Sequence, residues 1–349
     1  MRNAPSQRGA ACSAHGSSPY RDNVDARLDA LRRWLAAQFK GSAFDLAPAS
    51  ADASFRRYFR ARMADGRSYV AMDAPPDKED CRPFVHVAKL LRDAGVHAPE
   101  VHAQDLAQGF LLLSDLGTRT YLEALDEHNA KPLMRDATDT LLRWQLATRA
   151  GELPPYDEAL LRREMGLFPE WYLGRHLGVQ LSQSQRGELE AIFAQLVASA
   201  LAQPAVYVHR DYMPRNLMVC EPNPGVLDFQ DAVIGPITYD VVSLLRDAFI
   251  SWDEEQVLDW CIGYWEAARR AGLPVNADFS AFHRSFEWMG LQRHLKVLGI
   301  FARLTYRDGK ARYLADTPRF VAYVQAVARR YPALAPLARL FDQIEARAA

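Results

Sequence analysis

The first part of the chain combines a helical and an extended pattern of apolar residues. Between Val24 and Phe39 an apolar side chain recurs every three or four positions, which predicts an amphipathic helix that Gly41 can end. Two short runs with strand-like composition follow at 54–62 and 68–73, separated by a polar turn. The pattern predicts a helix followed by a β-hairpin.

A second helix and a second pair of strands repeat this order. Asp80 can cap the helix and Gly95 can end it. Strand-like runs follow at Val101–Gln104 and Phe110–Ser114, with a polar turn between them. This part of the chain is therefore predicted to form a small β-rich lobe.

Long amphipathic helices dominate after Gly117. The predicted helices are 132–149, 157–175, 183–202, 253–271, 278–306, 318–331 and 334–347. The exception is 206–230, where a short strand leads into a polar loop and a predicted hairpin, 217–220 with 225–228. The coarse prediction is an α+β protein whose larger second lobe is mostly helical.

Length and charge limit the classes of function. The chain has 349 residues and a formal net charge of −1, which allows two lobes and gives no indication of nucleic acid or a membrane surface as partner. Residues 1–22 are small and polar, and we interpret them as a disordered tail rather than a secretory signal. The lobes are then predicted at 23–115 and 116–349, and no obligate protein partner is predicted.

The cysteines give information about the compartment. Cys12, Cys81, Cys220 and Cys261 are far apart and form no CxxC pair, which argues against a zinc site and a disulfide framework. We interpret all four as free thiols, and a reducing cytoplasm is the simplest location.

A candidate catalytic motif lies within the polar loop. His209, Asp211 and Asn216 form the pattern H-x-D-x-x-x-x-N, and Asp228 ends an apolar strand twelve residues after the asparagine. Phosphoryl transfer needs a carboxylate that can hold an acceptor hydroxyl and take its proton, together with oxygen ligands for Mg²⁺. Asp211 suits the first task, and Asn216 and Asp228 suit the second. We expect His209 to support the loop rather than to take part in catalysis.

The residues around these motifs resemble a known family. Segments 208–218 (VHRDYMPRNLM) and 226–232 (VLDFQDA) resemble the aminoglycoside phosphotransferase/choline kinase family. Longer segments resemble its branch of bacterial anomeric kinases, which act on N-acetylmuramate and N-acetylglucosamine in cell-wall recycling. These segments are 54–60, 72–80, 209–218, 227–249 and 291–304. The resemblance implies a protein-kinase-like bilobal fold with a small β-rich lobe and a larger helical lobe.

The resemblance also implies roles for individual residues. Asp211 corresponds to the catalytic base, and Asn216 and Asp228 correspond to the metal ligands, with ATP and Mg²⁺ as cofactors. Asp240 corresponds to a residue that braces the catalytic loop. The adenine of ATP would contact backbone atoms at the hinge between the lobes, at Leu113, Ser114 and Asp115.

The first lobe departs from the pattern of a eukaryotic-type protein kinase. The loop 47–53 contains no glycine, and Met72 occupies the position where a strand lysine is expected. One of three arginines, Arg56, Arg57 or Arg60, could supply the missing positive charge for the phosphates. Only one face of a strand can point toward a ligand, so the three are not equivalent.

The acceptor is the least determined part of the prediction. An acidic N-acetylated sugar requires aromatic faces, polar groups that read amides, and a cation for its carboxylate. Four candidate sugar-binding residues fit these needs: Glu170, Arg246, Arg293 and His294. Two alternatives stay open, namely an aminoglycoside or other small-alcohol phosphotransferase with the same chemistry, and a nucleotide-binding pseudokinase, which Met72 would favour.

Overall fold

A computed structural model of the chain describes residues 19–50 and 55–348. The strands in these ranges are β1 (Phe44–Ser50), β2 (Arg57–Met63), β3 (Ser68–Asp73), β4 (Val101–Asp105), β5 (Phe110–Ser114), β6 (Ala205–Val208), β7 (Leu217–Met218), β8 (Gly225–Val226) and β9 (Val233–Pro236). Contacts divide the chain into two compact units. Unit 1 combines the described residues up to Cys81 with Val101–Asp115, and unit 2 combines Arg82–Glu100 with the described residues from Leu116 onward.

Most helices belong to unit 2. Unit 1 contains α1 (Pro19–Gln38). The α-helices described in unit 2 are α2 (Arg82–Asp93), α3 (Tyr121–Ala124), α4 (Ala130–Leu146), α5 (Glu158–Leu167), α6 (Gln183–Leu201), α7 (Tyr239–Leu245), α8 (Glu254–Arg270), α9 (Phe279–Tyr306), α10 (Thr317–Arg330) and α11 (Ala335–Ala348). A π-helical segment, Phe168–His176, continues α5. No helix of the described ranges is long and apolar enough to cross a membrane.

Unit 1 is an antiparallel sheet covered by one helix. Its strand order is β1-β2-β3-β5-β4. Leu31 and Leu35 of α1 pack on one face of this sheet, against Phe59, Ala71 and Phe110. Because the side chains of a strand alternate between faces, the register of β2 and β3 places Tyr58, Arg60 and Met72 on the opposite face. Arg60 therefore lies on the same face of the sheet as Met72, and Arg57 lies on the face that packs on α1.

Helix α9 forms the centre of unit 2. It is 28 residues long and is buried along most of its length, from Phe282 to Ala302, among the other helices. A Cβ atom at Gly299 would lie 2.4 Å from the backbone carbon of Leu167, so only glycine permits this close approach to the end of α5. Polar side chains are buried within the same helix, which is unusual for a core helix and points to a special role.

The fold agrees with the predicted pattern and differs at identifiable places. The predicted strands and long helices are present, but β1 and β9 were not predicted. The predicted tail, residues 1–22, overlaps the first turn of α1, which begins at Pro19. Proline is well tolerated in the first turn of a helix. Residues 1–18 lie outside the described ranges, and so do residues 51–53 of the predicted glycine-free loop.

The predicted boundary between the lobes also differs from the observed units at 82–100. We expected this stretch within the first lobe, whereas its contacts group it with unit 2. Phe84 of α2 packs on Phe229, with ring centroids 4.7 Å apart, and Val226 donates a backbone hydrogen bond of 2.8 Å to His97. A helix that packs on a distant part of the chain cannot be assigned from its neighbours in sequence.

Candidate active site

Two short antiparallel pairs form the scaffold of the predicted motif. β6 pairs with β9 and leads into His209, and β7 pairs with β8 and leads to Asp228. The register pairs Leu217 with Val226, and Leu227 donates a backbone hydrogen bond of 2.9 Å to Asn216. This hairpin brings Asn216 and Asp228 together although they are twelve residues apart.

The side chains of Asn216 and Asp228 lie close together. Their side chains lie 3.5 Å apart, measured from Asn216 Nδ2 to Asp228 Oδ2. Asn216 Nδ2 also donates to the Asp211 carbonyl at 2.9 Å, so Oδ1, the atom that could bind a metal, is not used by these bonds. Asp228 has φ of +62°, an uncommon conformation for a residue with a side chain. Gln230 Nε2 holds the other carboxylate oxygen at 3.1 Å.

The Asp211 carboxylate is available to a ligand. It is partly exposed, and among the described residues it accepts no hydrogen bond and forms no ion pair. Its backbone is held, because its amide donates to His209 Nδ1 at 3.3 Å and its carbonyl accepts from Asn216. A fixed backbone with an unpaired carboxylate is what an acceptor hydroxyl needs.

Asp240 is hydrogen-bonded to the backbone of the loop. This fully buried carboxylate accepts hydrogen bonds from the amides of His209, at 2.6 Å, and Arg210, at 3.0 Å. These two bonds hold the backbone of the loop at His209 and Arg210. Arg210 has φ of +78°, so the carboxylate stabilises a turn that is otherwise uncommon for arginine.

His209 is buried and neutral. Burial lowers the pKa of His209 to about 4, even though Asp211 nearby favours the charged form. Its Nδ1 accepts the Asp211 amide, so the ring carries its proton on Nε2. The described hydrogen bond of this neutral, buried ring is to the backbone of the loop.

The buried Asp240 leads to a prediction about pH. Burial raises the pKa of Asp240 from 3.8 to about 7, although the two amides act in the opposite direction. Between these values the folded protein keeps a proton that the unfolded chain releases, so this group's contribution to the free energy of unfolding falls as pH rises from about 4 to about 7. We expect Asp240→Asn to remove this contribution. The free energy of unfolding of the variant minus that of wild type should therefore become more positive as pH rises from about 5 to about 7.5, as measured by urea unfolding at several pH values. Equal pH slopes for the two proteins would contradict the assignment.

Sequence reasoning missed a buried charged group beside the loop. Glu164 of α5 accepts from Arg210 Nη2 at 2.5 Å, from Lys296 Nζ of α9 at 3.0 Å, and from the Tyr156 hydroxyl. Burial raises the pKa of Glu164, but Lys296 and Arg210 outweigh it, so the pKa lies below its usual value and the carboxylate is ionised. The missed signal was a charge within an apolar stripe, since Glu164 lies between the core residues Leu161 and Met165.

The three candidate arginines of unit 1 have different partners. Arg57 lies on the face covered by α1, where it pairs with Asp73, a fully buried carboxylate that also receives Arg27. Arg56 Nε lies 3.8 Å from Glu79. Arg57 lies on the opposite face of the sheet from Met72. This position argues against Arg57 as the replacement for the lysine expected at position 72.

Asp115 joins two strands at the end of β5. Arg60 donates two hydrogen bonds to its carboxylate, at 2.6 and 3.0 Å, and Ser68 donates a third at 2.5 Å. These contacts fix the side chain of Asp115. Leu113, two residues before Asp115, is buried in β5, and Ser114 is partly exposed at the end of the strand. The segment expected to contact adenine is thus firmly held within unit 1.

Three of the four candidate sugar-binding residues lie close together. Arg246 and His294 both contact the ring of Tyr323, and Arg293 is the neighbour of His294 in α9. His294 is fully buried and its ring stacks on Tyr323 with centroids 5.0 Å apart, which argues against a contact with sugar. Arg246 donates two hydrogen bonds of 2.8 Å to Glu254. Arg293 is buried, and its Nη1 has no hydrogen-bond partner among the described residues. Glu170 is exposed on the π-helical segment, and no described contact joins it to the other three.

Comparisons with known proteins identify the family of the chain. Residues 45–273 match the model of the family described as "Phosphotransferase enzyme family". A protein of Pseudomonas putida named N-acetylmuramate/N-acetylglucosamine kinase is 54% identical over 334 residues, which cover 93% of this chain and 98% of that protein. A protein of Pseudomonas aeruginosa with the same name is 55% identical over 330 residues, which cover 92% and 97%.

Solved structures are similar in fold. A choline/ethanolamine kinase family protein from Mesorhizobium loti aligns with a TM-score of 0.59 and 15% identity, over 90% of this chain and 99% of that chain. At this identity the likeness concerns the fold alone. It confirms the predicted α+β, protein-kinase-like class, with an antiparallel sheet in unit 1 and a mostly helical unit 2.

Proposed function

Because this chain belongs to the phosphotransferase enzyme family, we propose that it is an ATP-dependent kinase for the anomeric (C1) hydroxyl of N-acetylmuramate and N-acetylglucosamine in peptidoglycan recycling. The observation that carries the chemistry is the unpaired Asp211 carboxylate beside the Asn216–Asp228 pair. The names of the relatives support the choice of sugar.

Asp211 is the group that we propose for the acceptor hydroxyl. Its carboxylate would accept a hydrogen bond from the C1 hydroxyl, aim that oxygen at the γ-phosphorus of ATP, and take the proton as the new P–O bond forms. An anomeric hydroxyl is more acidic than an ordinary alcohol. Orientation is therefore the larger part of the role, and proton transfer follows late in a loose transition state.

Asn216 and Asp228 fit the needs of Mg²⁺. The ion prefers oxygen ligands and usually takes only one or two from the protein, and these residues offer an amide oxygen and a carboxylate. Bound Mg²⁺ supplies neutralisation of the negative charge on the phosphates. The two side chains lie close together, and Gln230 Nε2 donates a hydrogen bond to the Asp228 carboxylate.

We assign the nucleotide contacts of unit 1 with one change from the sequence prediction. The backbone of Leu113, Ser114 and Asp115 stays the proposed contact for adenine. Arg56 stays a proposed phosphate contact, whereas Arg57 is bound to the buried Asp73 and is not proposed for this role. For the sugar we retain Glu170, Arg246 and Arg293 as candidates.

Two positive charges lie near the Asp211 carboxylate. They belong to Arg210 and Lys296, and Glu164 pairs with both of them. The reaction is proposed for the cytoplasm, where ATP is available and where the free thiols of Cys81, Cys220 and Cys261 would stay reduced.

A panel of acceptors tests the proposal. We expect ADP release, measured with a coupled assay, to require N-acetylmuramate or N-acetylglucosamine and to stay at background with kanamycin. Asp211→Asn protein serves as the blank for contaminating ATPases. If kanamycin were the better acceptor, or if neither sugar stimulated ADP release, the proposed function would be wrong.

A further inference from the structure

We propose that Glu164 and Lys296 are positioning residues for the transfer step, which fix the backbone of Arg210 and thereby the direction of the Asp211 carboxylate. The inference rests on the proposed function for the identity of the acceptor. It assigns a role to two helices, α5 and α9, that lie far from the catalytic motif in sequence.

Glu164 has no capacity left for a ligand. One carboxylate oxygen receives Arg210 and Lys296, and the other receives the Tyr156 hydroxyl and, at 3.5 Å, Gln292 Nε2. The residue is 6% exposed. A carboxylate whose two oxygens are both occupied by protein donors serves to hold those donors rather than to bind substrate.

Arg210 connects this cluster to the catalytic residue. It directly precedes Asp211, and its φ of +78° sets the path of the chain into that residue. Its backbone amide is held by Asp240, and its guanidinium is held by Glu164 and by the Asp231 carbonyl at 3.3 Å. The uncommon backbone conformation of Arg210 is thus stabilised both by the hydrogen bond to its main chain and by the contacts of its side chain.

Lys296 completes the cluster from α9. Its Nζ donates to Glu164 and to the Tyr239 hydroxyl, each at 3.0 Å. Burial lowers the pKa of Lys296, but Tyr239 and Glu164 outweigh it, and Asp211 acts in the same direction, so the pKa is raised and the ammonium stays charged. Tyr239 is the neighbour in sequence of the bracing residue Asp240. Lys296 therefore ties both supports of the catalytic loop to the central helix of unit 2.

A double-mutant cycle separates positioning from general stability. Glu164→Gln keeps the shape of the side chain and removes its charge. We expect it to lower kcat by about 10- to 100-fold, since small misplacements of a catalytic group have effects of this size, with little change in KM for ATP. In protein that already carries Asp211→Asn, the same change should lower kcat less than about twofold, because no carboxylate is left to position. Residual turnover is followed with radiolabelled ATP.

Lys296→Met in α9 is expected to lower kcat in the same way as Glu164→Gln. Lys296→Arg keeps the positive charge and should lose less of kcat than Lys296→Met. Glu158→Gln is the matched control, because Glu158 is an exposed residue at the start of α5 and should leave kcat unchanged. Soluble yield and melting temperature are measured for each variant, and kcat is expressed per folded enzyme.

The possible outcomes are distinct. An unchanged kcat for both Glu164→Gln and Lys296→Met, or an equal fold-loss with and without Asp211, would overturn the inference. A loss confined to N-acetylmuramate and absent with N-acetylglucosamine would also overturn it, because Lys296 would then read the acid group of the sugar. Wild-type turnover tests the proposed function by itself, since it involves no variant.

Discussion

Asp211→Asn is expected to lower kcat by ~10²–10⁴-fold while KM for ATP stays close to the wild-type value. The reason is that the Asp211 carboxylate accepts no hydrogen bond within the described protein, so its loss removes a contact made to the acceptor rather than one that holds the fold. The asparagine keeps the size of the side chain and can still accept a hydrogen bond through its oxygen, but it cannot take a proton. Steady-state kinetics with saturating N-acetylmuramate measure the effect.

Stability measurements are the control for this variant. Because the side chain of Asp211 has no partner to lose, the melting temperature should change little. A variant with near-normal kcat would show that another group acts on the acceptor. An inactive variant with a strongly lowered melting temperature would show that Asp211 serves the fold.

Asp228→Asn is expected to lower kcat by ~10²-fold or more and to raise the Mg²⁺ concentration needed for half-maximal rate. The change removes one negative charge from the proposed metal site but preserves its shape, including the contact with Gln230. Titration of activity with MgCl₂ at saturating ATP measures both effects.

Asp231→Asn is the matched control for this change. Asp231 lies three residues further along the same segment, and its side chain is exposed. The control should keep wild-type kcat and Mg²⁺ dependence. If the two variants behaved alike, or if Asp228→Asn shifted KM for sugar alone, Asp228 would not be a metal ligand.

The central motif was accessible from the sequence because its geometry is local. Asn216 and Asp228 lie at the two ends of a short hairpin, so their spacing in sequence nearly dictates their distance in space. The same holds for the two strands and turn of β2 and β3. The role of Asp240 was assigned by resemblance and stays a prediction. Its carboxylate accepts hydrogen bonds from two amides of the loop.

The supporting cluster was not accessible in the same way. Glu164 and Lys296 are 132 positions apart, and only the packing of α5 on α9 brings them to Arg210. Periodicity places both on buried positions, where apolar residues are expected, but it does not say which partner neutralises them. The grouping of α2 with unit 2 and the pairing of β6 with β9 have the same physical origin, since long-range packing decides them.

The candidate sugar residues show the limit of reasoning by residue type. Arginine and histidine near aromatic residues can build a pocket or a core, and the pattern alone does not distinguish them. His294 is part of a core, because α9 is enclosed by other helices and its ring stacks on Tyr323. The same ambiguity applies to Arg57, which pairs with the buried Asp73 on the face of the sheet that packs on α1.

The most direct measurement is ³¹P NMR of the product formed from ATP, Mg²⁺ and N-acetylmuramate by the wild-type protein. A sugar phosphate whose phosphorus signal is split by the H1 proton of the sugar, formed together with ADP, is the result we expect. A phosphate ester on any other carbon, or the appearance of inorganic phosphate without a sugar phosphate, would contradict the account.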